Sequence, residues 1–185
     1  MSKTKIMLIR HGEKHGHGVH DRGVSADGRR KHHELTVRGW QRAALLVNFF
    51  APAPGPLAKG SLIQTPRTIF ASDATKDSPS MRAMHTAGPL ADALGINVNH
   101  DYAEDEEDAI AAAAVAAPAP VLIVWHHGKI PKLARHIAGP KLVCPVHWPD
   151  DRFDMVWILD RNGAGIWSFT QVPQRLFHDD PSTLF

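Results

Sequence analysis

Apolar positions fall into two kinds of run that alternate along the chain. Residues 6–9, 68–72 and 121–125 are short and almost continuously apolar, the pattern of strands buried on both faces. Between them the apolar residues are spaced by three and four. Ala43, Ala44, Leu45, Val47 and Phe50 follow the N-cap candidate Thr36, and the Pro/Gly patch at 51–60 ends that helix. Met81, Met84, Ala87, Leu90, Ala91 and Leu94 form a second helical stripe, beginning at Pro79 or Ser80 and stopped by Gly95. Residues 96–99 suggest a short strand. The acidic run 104–108 precedes an Ala-rich helix reaching Ala117, where the helix dipole favours negative charge. A further helix spans 130–137. Residues 153–159 and 165–170 read as a hairpin turned at Asp160-Arg161-Asn162-Gly163, and a polar tail from 171 to 185 wraps the surface. Strands alternating with helices predict an α/β fold: a three-layer sandwich with a mostly parallel central sheet and helices on both faces, one domain over 1–185.

Composition narrows the function classes. Hydrophobic residues make up 43% and charged residues 22%, as in ordinary globular proteins. A formal net charge of +2 is too small to argue for nucleic acid or an anionic membrane as a partner. The one cysteine, Cys144, excludes an internal disulfide and reads as a small apolar residue. No stretch approaches the roughly 20 apolar residues of a membrane span, and no leader pattern is visible. The expectation is a cytoplasmic protein.

Chemistry gathers where apolar runs stop. The first strand delivers Arg10-His11-Gly12-Glu13 and the strongest one delivers His126-His127-Gly128-Lys129. In a parallel sheet both carboxyl ends lie on one edge, which predicts His11 and His127 in a single crevice. Arg10 offers a planar fork of donors matched to phosphate oxygens. His11, when neutral, has a nitrogen that can attack. Gly12 lets the backbone approach a ligand. Six of the thirteen histidines lie near the amino terminus, five of them in a Gly/His/Arg-rich loop, 14–34, with His15 and His17 among them. That loop is either a rim over the site or a solvated excursion. Alternating histidines at His15, His17 and His20 invite metal, but no cysteine or carboxylate pair completes a site, so no metal is expected. The stretch 148–157 either walls a pocket with aromatics or is core Trp157 beside a solvated acidic turn.

Together these motifs resemble the histidine phosphatase superfamily, the phosphoglycerate mutase-like family, along nearly the whole chain. Arg10-His11-Gly12-Glu13 matches its signature tetrad, and Leu35-Thr36-Val37-Arg38-Gly39 its helix start. Residues 80–87 are similar to the helix that brings a second arginine, Arg82, with His85 where glutamine is usual. Val124-Trp125-His126-His127-Gly128 resembles the turn carrying the second histidine. The resemblance implies that His11 is the nucleophile and that Arg10, Gly12, Arg82 and His127 bind the phosphoryl group. His126 competes with His127, which is preferred because it directly precedes Gly128. Glu104 stands nearest the place of the general acid, with Asp105, Glu106 and Glu107 as competitors. Two guanidiniums and an imidazole can neutralise a phosphoryl dianion without metal or cofactor. The resemblance implies a histidine acid phosphatase-type enzyme, metal-independent, that hydrolyses phosphomonoesters or phosphohistidine through a phosphohistidine on His11. Its partner is then a small phosphorylated substrate or a phosphoprotein. A cofactor-dependent phosphoglycerate mutase and a non-catalytic phosphate-binding module on the same fold are the alternatives.

Overall fold

The computed structural model describes residues 4–16, 22–76 and 79–185. Its first strand, β1 (Thr4–Arg10), buries the apolar run completely: Ile6, Met7 and Leu8 are 0% exposed. β1 pairs in parallel with β4 (Val121–Trp125), the other continuously apolar run. β4 pairs in parallel with β2 (Thr68–Ala71), which takes β3 (Val98–Asn99) at the edge. On the other side β5 (Met155–Arg161) runs antiparallel to β1, and β6 (Trp167–Pro173) returns along β5 as the expected hairpin. The order is β3-β2-β4-β1-β5-β6.

Strand side chains alternate between faces, and the two sets meet different helices. Ile6, Leu8, Val121, Ile123 and Trp125 pack with α3 (Glu107–Ala116) and α4 (Ile130–Ala138). Met7, Ile9, Leu122 and Val124 pack with α1 (Val37–Phe50) and α2 (Arg82–Leu94). This is the expected three-layer α/β sandwich with a mostly parallel centre. Cys144 lies half-buried against the first of these cores.

Several local expectations shift. Thr36 caps α1 as expected, accepting from Gly39 N at 3.1 Å. The buried stripe, however, runs through Gly39, Arg42, Ala43, Leu46 and Phe50, while Ala44 and Leu45 face out. The apolar pattern hid it because two of its positions are a glycine and an arginine. α2 begins at Arg82 rather than at 79 or 80, and ends at Gly95, whose φ of 65° is the left-handed conformation that glycine adopts without cost. β3 is two residues long instead of four. Of the expected loop at Lys76 and Asp77, Asp77 lies outside the described residues, as do His17 and His20.

Arg42 explains why a charge sits inside. Its guanidinium bonds both oxygens of Glu13, with Nη2 to Oε1 at 2.8 Å, and Asp180 from the tail at 2.7 Å. Burial alone would lower its pKa, but the bonds to Asp180 and Glu13 outweigh it and raise it. Phe177 lies under the guanidiniums of Arg38 and Arg42. The tail, expected only to wrap the surface, thus pins α1 to the turn that follows β1.

Candidate active site

Register and alternation decide which side chains meet at the carboxyl edge of the sheet. Arg10 is the partner of Trp125, so His11 and His126 are the next pair along. The His11 N–H donates to Trp125 O at 3.2 Å, carrying the ladder one residue past β1. By alternation His11 and His126 turn toward the α1/α2 face, while Arg10 and His127 turn toward the other. The rings obey this. His11 and His126 have centroids 6.0 Å apart. His127 instead meets Asp150, Nε2 to Oδ1 at 2.6 Å.

A cavity of about 210 Å³ opens between β1, β4 and α2. His11, His126, Arg82, Glu104, Ser72 and His33 line it; Arg10 and His127 do not. The expectation that His127 shares the crevice wall with His11 therefore needs correcting, because the strand period puts His126 there. A larger cavity, about 420 Å³, lies at the opposite end of the sheet around Thr4, Lys5 and Asp160. It lacks an imidazole and holds none of the candidate site residues.

His11 is buried and its tautomer is set. Nδ1 lies 2.7 Å from Gly12 O, an acceptor, so Nδ1 carries the proton. Nε2 is left with its lone pair, buried and with no partner among the described residues. Burial, then the neighbouring Arg10, hold the His11 pKa well below 6.5; the bond to Gly12 opposes them. Burial also lowers His126, against the pull of Glu104. His127 is pushed down to about 4 by burial, then by Arg10.

Arg10 is held from behind. Its Nη1 donates to Asp150 O at 2.6 Å and Arg152 O at 3.2 Å, and its plane stacks 3.7 Å from the Phe153 ring centre. Nε and Nη2 are buried without a partner among the described residues. Burial pushes its pKa down to about 9. In the stretch 148–157, Trp157 is core and Asp150 and Asp151 are exposed, as the second reading of that stretch expects, and its backbone has a further task. Trp148 and Trp157 are core, Trp148 Nε1 donates to Arg152 O at 2.8 Å, and the carbonyls between them cradle Arg10. No side-chain pattern encodes that cradle, because its acceptors are backbone.

Arg82 is placed by the loop that precedes α1. Its Nε donates to Glu34 O at 3.2 Å and its Nη2 to His32 O at 2.8 Å. The described part of the loop is thus tied to Arg82 by two carbonyls, while residues 26–33 are exposed to solvent. Burial lowers the Arg82 pKa, and Glu34 opposes this. His85, in place of the expected glutamine, stacks on Trp40 at 4.8 Å with Nδ1 2.5 Å from Glu34. Thr86 ties α2 to the tetrad: its Oγ1 accepts from Gly12 N at 2.8 Å and donates to Arg82 O at 2.7 Å. Gly12 and Gly39 face each other so closely that a Cβ on Gly12 would lie 2.8 Å from Gly39 O.

Of the four candidate acids, Glu104 alone lines the cavity, with Oε1 3.3 Å from His126 Nδ1. Glu106 accepts from Ala103 N at 2.7 Å, and Glu107 is buried against Lys132 at 2.7 Å; Asp105 is exposed. No cluster of three metal-ligating side chains occurs among the described residues, and no described helix is long and apolar enough to cross a membrane.

No protein-family model matches the chain, and no curated protein matches it either. Solved structures do. A structure described as mycobacterial hydrolase 1 is 17% identical, spans 91% of this chain and 97% of its own, and superposes with a TM-score of 0.52. A phosphoserine phosphatase variant from Entamoeba histolytica, in complex with phosphoserine, is 14% identical over 95% and 99%, with a TM-score of 0.50. A phosphoglycerate mutase from Plasmodium falciparum is 13% identical over 100% of both chains, at 0.48. The first two carry the fold assignment, as do the sheet order and its helices. The likeness shows the fold alone: this chain shares the α/β sandwich of that hydrolase and that phosphatase.

Proposed function

We propose that the chain is a metal-independent phosphatase that hydrolyses phosphomonoesters, or phosphohistidine, through a phosphohistidine on His11. One observation carries this: a buried imidazole whose Nδ1 is committed to Gly12 O and whose Nε2 lone pair is bare, on the wall of a cavity it shares with Arg82, His126 and Glu104. Nε2 attacks phosphorus as the ester P–O bond breaks, and Glu104 protonates the leaving oxygen. Water then attacks the phosphohistidine, Glu104 takes its proton, and the N–P bond breaks to release orthophosphate. Arg82 on the cavity wall supplies fixed positive charge for the equatorial oxygens, Arg10 adds the field of its charge beside His11, and Gly12 keeps the backbone close.

His126 serves as the second imidazole in this scheme. Burial favours its neutral form, and a bound dianion would raise its pKa and let it donate. His127, the sequence-based choice, acts through Asp150 on the cradle of Arg10.

The test is a panel of alkyl, aryl and sugar phosphates, and phosphohistidine, given to wild type and to His11→Ala. The proposal expects turnover by wild type and none by the variant. Turnover that survives His11→Ala refutes the nucleophile. Glu104→Gln should slow alkyl esters, whose leaving group needs a proton, and spare aryl esters; an equal effect on both removes Glu104 as the acid.

A further inference from the structure

The proposed steps use neither Glu34 nor His85. Glu34 ends the loop before α1, and its side chain is only 6% exposed. His85 Nδ1 lies 2.5 Å from Glu34 Oε2. Lys31 reaches the other oxygen only at 3.9 Å, from a side chain that is 64% exposed, where such a pair is worth little. A carboxylate taken out of water needs a donor or an opposite charge close by, so the imidazole is its principal side-chain partner among the described residues.

Both residues converge on Arg82. Arg82 and His85 are three apart on α2 and so share one face of the helix. Glu34 meets the guanidinium through its backbone, its carbonyl accepting from Arg82 Nε at 3.2 Å. The carbonyl of His32 and Oγ of Ser80 take the other two nitrogens, at 2.8 and 3.3 Å. These three acceptors are neutral, and the Glu34 carboxylate supplies the opposing charge that favours the half-buried cation. The backbone beside Glu34 is fixed: Leu35 is 0% exposed, and Thr36 N donates to Glu13 O at 2.9 Å. The His85 ring stacks on Trp40, whose Nε1 donates to Val24 O at 2.8 Å. The carboxylate thus links a ring that α1 holds to a guanidinium on the cavity wall.

We infer that Glu34 and His85 are positioning residues for Arg82: the imidazole fixes the carboxylate, and Glu34, through its charge and its own carbonyl, holds the guanidinium where it meets a phosphoryl group. This rests on Arg82 as a phosphate ligand in the proposed reaction. Without the pair Arg82 keeps its charge but swings among its neutral acceptors, and phosphate meets a misplaced donor fork.

Calorimetric titration of the full chain with inorganic phosphate reads Kd, p-nitrophenyl phosphate reads KM and kcat, and Tm is measured alongside. Glu34→Gln removes the charge at constant shape. His85→Phe keeps a ring on Trp40 and removes Nδ1, whereas His85→Asn keeps a donor near the place of Nδ1 and gives up the ring. Glu34→Gln and His85→Phe should each weaken phosphate binding and raise KM by about tenfold, the double variant by no more than either alone, and His85→Asn by less. A lower Tm with Kd and KM unchanged overturns the inference, since the pair then only supports the fold. Tighter phosphate binding, losses that multiply in the double variant, or His85→Asn worse than His85→Phe overturn it too. If His85→Phe fails to fold with its carboxylate buried alone, Glu34→Gln and the double variant decide. If wild type binds phosphate but turns over no ester, the catalytic reading of His11 fails and the titrations decide the pair; if it binds no phosphate, the inference falls with it.

Discussion

Thr86 lies outside the reacting set, yet one bond makes it the support of His11. Its Oγ1 takes the Gly12 N–H at 2.8 Å, and the carbonyl of the same glycine fixes the proton on His11 Nδ1. Thr86→Val keeps the shape and removes the acceptor. The Gly12 N–H is buried, so it is left unsatisfied at a cost of ~1–3 kcal/mol. For a chain of this size each kcal/mol lowers Tm by ~2–4 °C, which gives a fall of roughly 2–12 °C by calorimetry. The freed peptide then moves the Gly12 carbonyl and with it the lone pair of Nε2. A displacement near 1 Å costs on the order of a hundredfold in kcat, with KM less affected. Thr86→Ser keeps both hydrogen bonds, loses a methyl worth about 1 kcal/mol, and should retain kcat. A Thr86→Val protein with wild-type Tm and wild-type kcat would refute this chain of reasoning.

Other outcomes follow from the same contacts. Arg42→Met leaves buried Glu13 and Asp180 with Arg38 alone, at 3.2 and 3.7 Å, and should destabilise the fold by up to about 3–5 kcal/mol in urea titrations. His126→Asn should lower kcat on alkyl phosphates by on the order of a hundredfold, and His127→Asn by less; the reverse ranking would return His127 to the cavity wall. Because the His11 pKa is lowered, its neutral form persists below pH 6.5, and the acid limb of kcat/KM should fall well under that value. Stability carries the same sign. Unfolded histidines take protons as pH drops through about 6.5, whereas folded His127 does so only at about 4. The unfolded state holds more protons in that window, so stability should decline as pH falls from 6.5 toward 4, and His127→Asn should flatten the decline.

The sheet was legible because its strands are near-continuous apolar runs, which need two covered faces. The motif helices were legible by their caps, Thr36 and Gly95. What misled was a one-residue matter. His126 and His127 are adjacent, and a His-Gly pattern favours the second, but the register Arg10–Trp125 and the strand period of two put the first beside His11. That period was already present in residues 121–125. The Arg10 cradle and the His32 and Glu34 carbonyls on Arg82 had no such signal, since backbone acceptors look alike in any sequence. Arg42 broke the apolar stripe of α1 and hid its buried face, because its partners come from Glu13 and from a tail far along the chain.

The central claim is that a phosphoryl group is carried on Nε2 of His11. Brief mixing with labelled p-nitrophenyl phosphate, an alkaline quench that preserves phosphohistidine, and peptide mass spectrometry test it directly. The account predicts label on the peptide holding His11, absent in His11→Ala and prolonged in Glu104→Gln. Label on another residue, or product release with no covalent label at any mixing time, would contradict it.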